Sequence, residues 1–114
     1  MKIDDFLNKL TQTPESVEFQ DTMATIEENY EVTASAFENG GLSNSADENQ
    51  GSCKLLAFAK ALDLTPPATL ACFGHYYRED VLLHPEASDH QNIRRFMNSG
   101  WEGVTFAHQP LTSK

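Results

Sequence analysis

Apolar residues recur at helical spacing over most of the chain, and turn-forming residues break the pattern at its middle. Ile3, Phe6, Leu7 and Leu10 follow the i, i+3, i+4, i+7 rule and mark one face of a short amphipathic helix. Thr13-Pro14 signals a new start, because proline suits a first helical turn. Phe19, Met23, Ile26 and Tyr30 form the stripe of a second helix, placed to begin near Asp21, whose carboxylate suits free N–H groups. Phe37-Glu38-Asn39-Gly40-Gly41-Leu42 puts a turn signal between residues able to extend, so a hairpin is expected there. Residues 44–50 are small and polar and read as a loop. Ser52 is the expected N-cap of a third helix carrying Leu55, Phe58, Ala59 and Leu62. Thr65-Pro66 opens a fourth with Leu70, Phe73, Tyr77 and Val81 on one face, which Gly74 bends or splits and Pro85 ends. Ser88 is the expected cap of a fifth, with Ile93, Phe96 and Met97, and Gly100 stops it. Trp101, Val104 and Phe106 finish as a short strand.

The sum is an α+β fold: about five helices packed around a small two- or three-stranded sheet. With 114 residues and no internal repeat or linker, residues 1–114 are expected to be a single domain with one core. Trp101 and Phe106 are expected to pack there with Phe58 and Phe73.

Charge narrows the function classes. The chain carries a formal charge of −9, and its distribution is lopsided. Residues 1–51 hold eleven carboxylates against Lys2 and Lys9, whereas residues 52–114 hold six acids and six Lys/Arg. No basic stripe exists to neutralise phosphates, so no nucleic acid partner is expected. The acidic half suits a basic protein partner. No apolar run approaches the ~20 residues of a membrane span, and Asp4 and Asp5 interrupt any signal-peptide pattern. Cys53 and Cys72 make no disulfide framework and fit a reducing, cytoplasmic setting.

The most suggestive chemistry is Gln50-Gly51-Ser52-Cys53 entering a helix. A cysteine in a first turn meets the positive end of the helix dipole, which favours thiolate. A cysteine hydrolase or acyltransferase would use Cys53 as nucleophile, His90 as base and Asn92 to orient the imidazole, with Gln50 as an oxyanion donor. Against this stands a simpler reading, in which Cys53 is a small buried residue and the chain is a binding or regulatory module. Tyr76, Arg78 and Arg94 are then the candidate ligand contacts, an aromatic and two guanidinium groups able to meet an anion. Cys72, His75 and Glu79 share a helical face, but no second ligand pair exists, so no metal site is expected. Residues 47–51 fail as a calcium loop, because Ala46 and Ala57 would stand where carboxylates are required. No phosphate-binding loop, dinucleotide fingerprint or serine elbow occurs, and no cofactor is expected.

Several blocks in order resemble the HopJ type III effector protein family. They are Phe19 with Asp21-Thr22-Met23; Phe37 with Asn39-Gly40; Asn49 with Gly51-Ser52-Cys53-Lys54; Thr69-Leu70-Ala71 with Phe73-Gly74; Tyr76-Tyr77-Arg78; His90 with Asn92-Ile93-Arg94; and Gly100-Trp101 with Gly103-Val104. The resemblance runs from about Phe6 to Leu111. A proline expected near Val32-Thr33 and a glycine near Ala87 are absent, both in loops. The resemblance implies a bacterial effector-class protein injected into a host by a type III machine, or a cytoplasmic protein sharing the effector's fold. It implies no particular reaction, cofactor or catalytic residue.

Overall fold

A computed structural model describes all 114 residues. The first helix, α1 (Ile3–Gln12), buries Phe6 and Leu10, with Asp4 and Asp5 in its first turn and Lys9 in its last, as the helix dipole prefers. A 3-10 turn (Pro14–Ser16) leads into α2 (Phe19–Asn29), which begins two residues before the expected Asp21. Asp21 is instead the third residue of the helix and reaches back to accept from the Glu18 N–H at 2.9 Å. Two threonines on the inner face of α2 are fully buried, and Thr22 Oγ1 donates to the Cys72 carbonyl at 2.8 Å.

Tyr30, expected as the last member of the α2 stripe, starts a strand. β1 (Tyr30–Val32) pairs antiparallel with β5 (Leu111–Ser113), Tyr30 opposite Ser113 and Val32 opposite Leu111. This two-stranded ribbon had no signal in the sequence, since each strand is three residues long and the two lie at distant points of the chain. The expected hairpin forms from β2 (Phe37–Asn39) and β3 (Leu42–Asn44), with β4 (Val104–Phe106) on the other side of β2, giving the order β3-β2-β4.

α3 (Gln50–Ala61) is the most buried, contributing Cys53, Leu55, Leu56, Ala57, Phe58 and Ala59 to the core. α4 (Pro66–Ala71) is capped by Thr65, whose hydroxyl accepts from the Ala68 N–H. Gly74 splits the expected fourth helix, and the chain resumes as a π-helical turn (Tyr76–Val81) with a wide Leu82 N–H to Tyr77 carbonyl bond of 3.0 Å. α5 (Gln91–Ser99) buries Asn92, Ile93 and Phe96. One core results, with Phe58 and Phe73 inside it and Trp101 and Phe106 half-buried at its edge. Trp101 sits in a 3-10 turn (Gly100–Gly103) rather than a strand, edge-on to Phe96 at 4.9 Å, with its indole N–H donating to the Leu64 carbonyl.

Gly74 is the tightest joint. Its φ is +65°, and a Cβ there would lie 2.8 Å from both Glu18 Cα and the Phe19 backbone nitrogen. Both strain and collision therefore fall on backbone that cannot yield without moving the start of α2. Gly74→Ala is expected to destabilise the fold by about 2 kcal/mol or more, read as a lower denaturation midpoint at unchanged slope. A midpoint within error of the parent would show that this contact is not tight.

Candidate functional site

Two helices begin in the same unusual way. α3 follows Asn49 at φ 50°, ψ 38°, and α5 follows His90 at φ 49°, ψ 48°. Both caps are left-handed, a conformation that Asn and His adopt more readily than most residues. It turns each side chain away from the helix end, so neither caps its own helix. The expected caps Ser52 and Ser88 do not stand at these ends; Ser52 is the third residue of α3, and Ser88 lies two residues before His90. The N–H groups of Gly51, Ser52, Gln91 and Asn92 consequently have no acceptor within the protein.

Both open ends line one cleft of about 370 Å³, together with Phe19, Leu42, Phe73, Tyr76 and Ile93. Gly51 lets the Phe19 ring lie against the first turn of α3; a Cβ there would meet Phe19 Cζ at 3.0 Å. Phe19 stacks on Phe73 with ring centroids 6.4 Å apart and meets Tyr76 edge-on at 5.5 Å. Tyr76 lies between His75 and His90, at 4.4 and 5.3 Å. No carboxylate lines the cleft. His90 Nε2–H donates to Asp80 Oδ2 at 3.1 Å, which fixes the imidazole.

A group of asparagines holds the two helix starts together. Asn44 Oδ1 accepts from the side-chain amides of Asn49 at 2.7 Å and Asn92 at 3.1 Å. Asn92 Oδ1 accepts in turn from Asn44 Nδ2 at 3.3 Å and Asn39 Nδ2 at 3.1 Å, and the Asn92 carbonyl takes a further 2.8 Å bond from Asn39. Asn39, Asn44 and Asn92 are buried, so β2, β3 and the starts of α3 and α5 meet in one polar network.

The residues singled out in the sequence divide around this cleft. His90, Asn92 and Tyr76 line it. Asn92 Oδ1 and Nδ2 bond other asparagines, and the His90 ring is held by Asp80. Cys53 is fully buried behind the cleft and does not line it; its Sγ lies 3.7 Å from the Ser35 carbonyl. Gln50 is occupied by Ser35 too, accepting its N–H and donating to its carbonyl, both at 3.1 Å. Arg78 ties the π-helical turn to the start of α2 through the Val17 carbonyl at 2.9 Å and Glu18 Oε2 at 3.1 Å. Arg94 is bound to Asp89 through both its carbonyl and its carboxylate. The two arginines therefore form no common anion pocket. Phe19, Gly51, Ser52 and Gln91 also line the cleft and were not among the candidates read from the sequence. The left-handed turns at Asn49 and His90 leave the Gly51, Ser52 and Gln91 N–H groups open to it, and no local pattern announces such a turn.

Glu18 anchors the wall of the cleft from outside. The His75 N–H donates to Glu18 Oε1 at 3.0 Å, and this bond, with the His75 ring and Arg78, holds the Glu18 carboxyl below its ordinary range. Its contribution to stability is present above the unfolded carboxyl value and is lost as acid protonates it.

Burial pushes the Cys53 thiol up to about 11, against the nearby Lys54 charge, and pushes Cys72 up to about 12. Both thiols are expected to resist iodoacetamide at neutral pH in the folded protein and to react on unfolding. Rapid alkylation of Cys53 at pH 6–7, slowed by His90→Ala, would instead reveal an activated thiolate.

No functionally curated protein matches the chain. A solved structure, that of an unknown-function protein, VPA0580, superposes with a TM-score of 0.98 at 56% identity, covering 100% of this chain and 95% of the other. The sequence matches the HopJ type III effector protein family over residues 3–111. That match covers nearly the whole chain, from α1 to the first residue of β5, and it includes every residue of the cleft: the chain belongs to the HopJ type III effector protein family.

Proposed function

We propose that this effector-family protein works as a binding module, and that the cleft between the starts of α3 and α5 holds a small anion carrying a flat ring. One observation carries the reading: two uncapped helix starts open into the same cleft, lined by three aromatic rings and by no carboxylate. The unpaired N–H groups and the two dipoles favour an acceptor-rich anionic group. Phe19, Phe73 and Tyr76 supply flat apolar walls for the remainder, and the volume lies in the range of small-ligand sites. The buried Cys53, with its raised pKa, weighs against a hydrolase working at this site. Delivery into a host cell by type III secretion belongs to the same reading and rests on the family. The acidic residues 1–51 support a separate contact with a basic host protein, one that salt weakens. No helix is long and apolar enough to cross a membrane.

Phenyl phosphate is a suitable probe, having an anionic head and one ring. Titrated into ¹⁵N-labelled protein, it is expected to shift the amides of Gly51, Ser52, Gln91 and Asn92 saturably. Tyr76→Ala, which removes a stacking wall, should weaken binding by about tenfold. Absence of saturable shifts in those four amides, or indifference to Tyr76→Ala, would refute the reading.

A further inference from the structure

A second cleft lies on another face of the molecule, between the C-terminal half of α3 and the segment joining β4 to β5. It measures about 690 Å³. Tyr30, Ala57, Phe106, Pro110 and Leu111 give it an apolar floor, of which Ala57, Pro110 and Leu111 are buried. Its charged lining is one-sided. Lys60 and His108 are its only titratable groups apart from the Tyr30 phenol, and none of the chain's 17 carboxylates lines it.

Both basic groups are exposed and without a carboxylate partner. Lys60 lies with its ammonium 5.8 Å from the centre of the Phe106 ring and, like Lys2, Lys54, Arg95 and Lys114, has no carboxylate partner. The His108 backbone is pinned twice to Ser35, its N–H donating to Ser35 Oγ at 3.0 Å and its carbonyl accepting from it at 3.3 Å. Its imidazole makes no hydrogen bond in the protein. In a chain of net charge −9, a groove with an apolar floor and an unpaired cation at its rim complements one negative charge on an apolar body.

We propose that this groove is a binding site for a small monocarboxylate with an apolar aromatic or branched body. The carboxylate meets the Lys60 ammonium, with the His108 ring beside it. The apolar body covers Phe106, Ala57 and Leu111. The site is separate from the cleft at the starts of α3 and α5, and the two share no lining residue.

The test is an NMR titration of the full chain with 4-phenylbutyrate, and with 4-phenylbutyramide as its uncharged counterpart. Saturable shifts are expected at Ala57, Lys60, Ala61 and residues 106–111, with the amide binding about fivefold to tenfold more weakly. Lys60→Met, which keeps the apolar stem over Phe106 and removes the charge, should reduce affinity for the acid by the same factor and leave the amide unaffected. A far-ultraviolet spectrum and denaturation midpoint matching the parent establish that the variant is folded. Equal binding of acid and amide, equal binding by the Lys60→Met protein, or shifts confined to Gly51, Ser52, Gln91 and Asn92 would each overturn the proposal. So would the absence of any saturable shift. The phenyl phosphate experiment is read at different amides, so either site can fail without the other.

Discussion

The buried amides of Asn39, Asn44 and Asn92 are the constraint on which the functional geometry depends. Taking primary amides out of water costs roughly 1–3 kcal/mol each when they are left unpaired, so burial is tolerable only if they bond to one another. Here they do so across elements. Asn39 comes from β2, Asn44 from β3 and Asn92 from the first turn of α5, while Asn49 joins from the start of α3. Asn39 Oδ1 alone lacks a partner. Because each amide satisfies its neighbours, the hairpin cannot shift without disturbing both helix starts.

That arrangement explains why these helix ends stay open. α2 and α4 meet their first turns with Asp21 and Thr65, the ordinary solution for free N–H groups. At α3 the Asn49 side chain, the natural cap, is directed to Asn44 instead, and at α5 the His90 ring is directed to Asp80. The donors left over face a cleft instead of a protein acceptor. On the opposite wall, Glu18 and Gly74 lock the start of α2 against the π-helical turn, which sets Phe19 and Tyr76 in place. The cleft is therefore framed by two polar joints, with aromatic rings between them.

Most of the architecture could be read in the sequence, because the helical stripes are long and the hairpin carries its own turn signal. Helix starts were read less well. A serine before an apolar stripe looks like a cap, yet Ser52 and Ser88 lost that place to residues in left-handed turns, whose stability comes from tertiary bonds to Asn44 and Asp80. The β1–β5 ribbon was invisible because strand pairing between chain ends has no local signature. For the site, His90, Asn92 and Tyr76 were singled out from the sequence, and the structure gathers them at one cleft. Arg78 and Arg94 were marked for their charge, but their partners Glu18 and Asp89 lie far enough along the chain, or in loops irregular enough, that only folding pairs them. Cys53 illustrates the limit of position as a guide. It lies in the first turn of a helix, as a reactive cysteine would, but on the face turned to the core.

A double-mutant cycle on Asn44 and Asn92 measures the joint directly. These two side chains exchange hydrogen bonds at 3.1 and 3.3 Å; removing Asn44 leaves the Asn92 amide N–H groups without a partner, and removing Asn92 leaves Asn44 with only Asn49 and two 3.4 Å backbone contacts. Asn44→Ala and Asn92→Ala are each predicted to cost about 1–3 kcal/mol in denaturation free energy, with the double variant less destabilised than their sum by about 1 kcal/mol or more. Strict additivity of the two costs would contradict the account, because it would mean that the asparagines do not act as one network and that something else holds the two helix starts at the cleft.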